Sequence, residues 1–166
     1  MFDPTAFDNL KTVLEGAVYD ADLDGSISVT GRKDLVDLAA MSRVYEIQFQ
    51  LKESKDAAAV FRLAMSLPEL SGELLKTNDV HSCEIGLTFH EKGPEEFTFA
   101  KRMIEEDWGV NFKVRHQVMY DVPFKEYSHI YHVQFGRSIS EDHVDDLMAM
   151  TEHAITTLEK IAEGGS

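Results

Sequence analysis

The densest pattern of metal-type side chains begins at Asp20 and reads Asp20-Ala-Asp22-Leu-Asp24-Gly25-Ser-Ile27. Alternate carboxylates, a turn glycine and an apolar eighth residue make the front half of a calcium-binding loop. The twelfth place of such a loop needs a bidentate Glu, and here it is Gly31. The loop also needs a helix entering and a helix leaving, and Gly16 and the strand-like Ser26-Ile27-Ser28-Val29 oppose both. The ordinary alternative is an acidic hairpin tip closed by Asp24–Gly25. The expectation is therefore no metal and no cofactor, with Asp20, Asp22 and Asp24 as the runner-up ligands.

Histidine is the next source of chemistry, at His81, His90, His116, His129, His132, His143 and His153. His129 and His132 are three apart on an expected strand, so they face opposite sides. His116 falls on an apolar strand face, where a hydrogen-bonded core imidazole is the common outcome. His90 and His132 share a polar sheet face with Glu46 and Glu84, which makes these four residues the candidates for acid–base work. If they face a concave pocket, an enzyme reading gains. If they face open water or a second subunit, a binding reading gains.

Covalent chemistry has no candidate. No nucleophile elbow, phosphate loop or dinucleotide fingerprint is present. Cys83 shares its strand face with Ile85, Leu87 and Phe89 and reads as a small buried apolar residue. Anion binding has a physical candidate instead. Two expected strands leave through Gly-Arg into expected helices, at Gly31-Arg32 and at Gly136-Arg137-Ser138. A helix N-terminus offers free N–H groups, glycine lets a ligand approach the backbone, and arginine adds a bidentate fork. The bland alternative is a turn glycine followed by a solvated arginine.

These groups must be positioned by the elements around them. Asp3-Pro4 opens a first helix carrying Phe7, Leu10 and Leu14, which Gly16 is placed to end. Strands are expected at 17–22 and 26–30, and a helix at 32–42 with Leu35, Leu38 and Ala39 on one face. Val44–Lys52 alternates apolar and polar residues, the mark of a sheet with one wet face. Ser54 can cap a helix over 55–66, followed by a helical turn near Glu73. Cys83–His90 repeats the strand pattern. Gly93–Pro94 opens a helix through Trp108, closed by Gly109. Strands follow at Val110–Tyr120 and Ile130–Phe135.

The chain closes with a helix from Glu141 to Glu163, about 34 Å long, capped by Ser138 or by Ser140. The segments starting at Tyr45 and Cys83 also resemble each other at an offset of 38 residues. Burial alone makes any two amphipathic strand-helix units look alike.

The expected fold class is α+β. It is a two-layer sandwich with one mixed, mostly antiparallel sheet of 5–6 strands and helices mainly on one face. One globular domain covers 1–163 and a flexible tail covers 164–166. The 166 residues suffice to bury about two-thirds of the unfolded surface, and 43% hydrophobic with 28% charged residues is an ordinary globular mix. No apolar run approaches the ~18 residues of a membrane span, and Asp3 and Asp8 oppose a signal peptide. A single cysteine suits a reducing compartment, so the expected location is cytoplasmic.

Net charge is −14, spread evenly along the chain, with no basic stretch longer than two residues. That excludes a nucleic-acid binder, whose affinity rests on cations at phosphates. The expected function is a non-enzymatic binding or regulatory module for a partner protein, for itself or for a small anionic ligand. The alternatives are a small His/carboxylate enzyme or a metal-dependent module. The expected partners are a second copy of the chain, through the final helix or a sheet edge, or a basic protein.

Overall fold

A computed structural model of the chain describes residues 6–66 and 82–164. The helical turn expected near Glu73 lies outside them. Helix α1 spans Ala6–Leu23. Strands β1 (Ile27–Asp37), β2 (Ser42–Leu51) and β3 (Ala57–Met65) follow. Next come β4 (Cys83–Gly93), α2 (Phe99–Trp108), β5 (Lys113–Tyr120) and β6 (Tyr127–Gln134). The chain ends with the short β7 (Ser138–Ile139), a single 3₁₀ turn (Glu141–His143) and α3 (Val144–Gly164).

The seven strands form one sheet in the order β1-β2-β3-β4-β6-β5, with β7 paired to the start of β4. Every pairing is antiparallel. The α+β reading with one polar sheet face therefore holds, and the sheet is antiparallel rather than mixed.

One face of the sheet carries the core. Tyr45, Ile47 and Phe49 of β2, Phe61 and Leu63 of β3, Leu87 and Phe89 of β4 and Tyr131 of β6 are buried there. They form one cluster with Phe7, Leu10, Leu14 and Val18 of α1, Trp108 of α2, and Leu147, Ala154, Leu158 and Ile161 of α3. Helix α3 lies over β2 and β3 and touches both other helices.

Three expected elements are corrected. Gly16 does not end the first helix; α1 runs through it to Leu23, and residues 17–22 are helix rather than strand. Val18, four residues after Leu14, is fully buried. Burying a valine is worth about 1.5–3 kcal/mol, more than the ~1 kcal/mol that a glycine costs inside a helix.

Residues 32–42 are not a helix. β1 continues to Asp37, and a turn held by Asp37, whose carboxylate accepts from Ala39 N and Ala40 N at 3.0 Å each, leads into β2. Leu35 and Leu38 are exposed, so no helix face needed them.

Residues 55–66 hold strand β3. Ala57, Ala59, Phe61, Leu63 and Met65 are buried in strict alternation between β2 and β4. Helix propensity of the alanines yields to this pairing, because strand preference is set by the packed surface a residue meets. The first of the two resembling segments is thus strand–strand and the second strand–helix, so their likeness is the common signature of burial.

Of the two expected caps, Ser140 caps the last helical segment. Its hydroxyl accepts from Asp142 N and its own N–H donates to His143 Nδ1 at 3.0 Å, while Ser138 sits in β7. Gly164, expected in the tail, is the last residue of α3.

Candidate functional site

Strand register decides what the face opposite α1, α2 and α3 presents. Side chains directly across an antiparallel ladder share a face. One row across the sheet reads Gly31, Gln48, Val60, Thr88, His132, Arg115. A second reads Lys33, Glu46, Arg62, Gly86. A third reads Gln50, Ala58, His90, Ile130, Gln117. Apart from Gln50, Ala58, Arg115 and Gln117, these residues line a concavity of ≈ 1140 Å³, somewhat above the ~300–1,000 Å³ of ordinary ligand clefts. A smaller hollow of ≈ 440 Å³ adjoins it, sharing His90 and Ile130.

The structure brings both candidate groups to this one place. Glu46, Glu84, His90 and His132 all line the concavity, as do Gly31, Gly136, Arg137 and Ser138. The reason expected for the second group is wrong, however. Gly31 lies at a β-bulge between Val29 and its next paired position, and Gly136 (φ +69°) turns the chain from β6 into β7. Neither precedes a helix, so no helix N-terminus serves either.

Arg32 is also corrected. It borders the concavity, but its guanidinium donates to Glu15 Oε2 of α1 at 2.8 Å. Its register partner Ile47 is a core residue, so Arg32 faces the helical layer. Arg137 sits at the rim, 3.3 Å from Asp146.

Three cations that sequence reasoning did not single out complete the face: Lys33, Arg62 and Arg115. The first two were hidden inside the helices expected at 32–42 and 55–66. A period-two reading of Ala57–Met65 would have put Arg62 on the polar face, where the β2–β3 register sets it opposite Glu46, at 3.8 Å. Lys92 and Lys113 share the parity of this face, and its strand carboxylates are Glu46 and Glu84, with Asp37 occupied in the hairpin turn. A face with more cations than carboxylates belongs to a chain of net charge −14.

The two imidazoles are held apart by separate partners. His90 Nε2 lies 2.8 Å from Thr88 Oγ1, and His132 Nε2–H donates to Gln117 Oε1 at 2.5 Å. Burial depresses the pKa of His90, helped by the charge of His132 and opposed by Glu46. Burial and then the Arg115 charge depress His132. Both are neutral at neutral pH, able to give or accept hydrogen bonds. Neither is hydrogen-bonded to a carboxylate.

Elsewhere the polar chemistry is structural. His116 Nε2–H donates to His129 Nδ1 (2.9 Å), and His129 Nε2–H donates to the Glu95 carbonyl (2.8 Å). Tyr131 donates to Glu91 Oε1 (2.6 Å) and accepts from Thr98, whose hydroxyl also caps α2. These bonds pin the loop before α2 to β6, and His116 is the hydrogen-bonded imidazole its apolar position implied.

The acidic segment is also committed. Asp22 Oδ2 accepts from Val29 N (2.8 Å), and Asp24 Oδ1 accepts from Ser26 N (2.9 Å). A helix does enter this loop, against expectation, but a strand leaves it. Among the described residues no group of three or more His, Cys, Asp or Glu is placed to hold a metal ion. No described helix is long and apolar enough to cross a membrane. Cys83 is buried on the helical face. Comparison with known proteins finds no matching protein family, no matching curated protein and no matching solved structure.

Proposed function

We propose that the chain is a binding module that takes a small anionic ligand in the open concavity of its sheet, without covalent chemistry. One observation carries this: an excess of cations collects on a single concave face of a strongly acidic protein. Arg62 lines it together with Lys33 and Arg137. Arginine suits this role because its fork pairs with carboxylate or phosphate in two bonds. Gly86, with no side chain, leaves room beside Arg62, while Val60 and Ile130 supply apolar floor and Gln48, Thr88 and the neutral imidazoles supply hydrogen bonds. The surrounding negative surface would repel an anion at long range, but salt screens exposed charges beyond about 8 Å. A cytoplasmic setting fits the single buried cysteine.

The catalytic alternative keeps one point in its favour: His90, His132, Glu46 and Glu84 do share a concave pocket. Without an imidazole–carboxylate contact or a nucleophile, binding is the reading the geometry supports best.

Thermal melting with inorganic pyrophosphate or citrate at fixed ionic strength, with glucose as a neutral control, tests it. A saturable rise in Tm with an anion is expected. A ligand at a hundred times its Kd stabilises by about 2.7 kcal/mol. Arg62→Glu is expected to weaken the anion roughly tenfold or more. No rise with either anion, or an equal rise in Arg62→Glu, contradicts the proposal.

A further inference from the structure

We infer that β5 is a self-pairing edge, through which two copies of this chain join their sheets about a twofold axis. The two sheet edges differ. β1 is blunted by the bulge between Val29 and Gly31, and its Arg32 and Asp34 are held by Glu15, Lys11 and Arg43. β5 pairs with β6 in unbroken register over all eight residues, and no described strand pairs with its outer side. A flat, unpaired edge bearing large apolar groups is a template for another strand. Met119 is 51% exposed and Tyr120 60% exposed. Tyr120, Phe124 and Tyr127 form a ring cluster beside it, with centroids 4.8–6.1 Å apart.

The occupant is a second β5 because the strand complements itself when reversed. Directly opposed residues in an antiparallel pair share a face, so their numbers must be of the same parity. Two registers overlap seven of the eight residues of β5, with His116 or Gln117 on the axis. The first sets Lys113 against Met119. The second sets Lys113 against Asp121, Val114 against Tyr120 and His116 against Val118. Both registers keep apolar residues opposed on the helical side, the first setting Val114 against Val118, but only the second pairs opposite charges at both ends. The final helix does not compete for this role, since Leu158 and Ile161 are already buried within the chain. The inference does not rest on the anion site, although joining β5 to its copy would make the two concave faces continuous.

Sedimentation of the full chain at physiological salt, over a range of micromolar concentrations, tests the inference. A species of twice the 18.8 kDa chain mass is expected. Lys113→Glu is expected to raise the dimer dissociation constant roughly tenfold, because two symmetry-related attractions become repulsions. The double variant Lys113→Glu/Asp121→Lys is expected to restore it. Gln117→Cys is expected to form an intermolecular disulfide under mild oxidation, since Gln117 lies opposite its own copy. A monomer at every concentration overturns the inference. So does a dimer that Lys113→Glu leaves intact, and failure of the double variant to recover overturns the register.

Discussion

His90, His116 and His132 each titrate below the ordinary histidine range. Burial is the main cause at all three. The charges facing them add to it: His132 at His90, His129 and Lys101 at His116, and Arg115 at His132, against Glu46 at His90 and Glu91 and Glu105 at His116. The unfolded chain therefore takes up protons before the native one as pH falls. Stability is unaffected above the unfolded value of 6.5 and declines below it, until the native groups protonate as well. Denaturant melts from pH 8 to pH 5 are expected to show this fall, and His90→Gln should lessen it. A flat profile would show that these imidazoles are solvated.

The Trp108 site gives a second residue-scale expectation. Trp108 Nε1–H donates to Thr157 Oγ1 at 3.0 Å, and that hydroxyl lies 2.7 Å from Asp107 Oδ2. Burial pushes the Asp107 carboxyl up, but bonds from Lys160 and Thr157 outweigh this and leave it lowered. Thr157→Val keeps the shape and removes the hydroxyl, leaving a buried indole N–H unpaired. A loss of about 1–3 kcal/mol is expected in chemical denaturation. No loss would mean that the indole finds another partner.

Elements divide into those whose pattern names one structure and those whose pattern fits two. β2, β4 and β6 alternate over several residues, and α3 repeats at three and four over many turns. Each of those patterns excludes the other period. Leu35, Leu38 and Ala39 are too few to do so, and Ala57–Met65 satisfies both a helix rich in alanine and a strand with small residues. Its state is fixed by β2 and β4 on either side, which a reading of the segment by itself does not include. That also explains why Arg62 escaped notice while Glu46 and His90 did not.

Gly16 posed the same problem, because a glycine after an apolar stripe reads as a stop. Its position inside α1, with nothing within 4 Å of an added Cβ, makes Gly16→Ala stabilising by roughly 0.5–1 kcal/mol. Destabilisation in thermal melts would mean that the helix ends there after all. The helix itself is tied down by Arg43 of β2, which bonds Asp8 at 2.7 Å and Asp34 at 3.0 Å and lies over the Phe7 ring at 4.5 Å.

On the scale of the whole molecule, α1, α2 and α3 pack on one side of an antiparallel sheet, and no described helix packs on the other. The parity of the strands sorts the chain's chemistry between the two sides. Apolar groups, Cys83 and the His116–His129–Tyr131 network go inward. The opposite face receives Arg62, Lys33, His90 and His132, which line its concavity, and Arg115 beside His132. A uniform acidic composition said nothing of this sorting, since charge counted along the chain is blind to which face each residue takes.

The most direct measurement of the anion-binding account is a two-dimensional NMR titration of the folded chain with inorganic pyrophosphate. The amides of Arg62, Gly86 and His132 are expected to shift together, with one shared Kd, while those of Glu15 and Asp22 on the helical side stay fixed. Shifts of similar size on both sides of the sheet, or none at Arg62 and Gly86 where Tm still rises, would contradict the account.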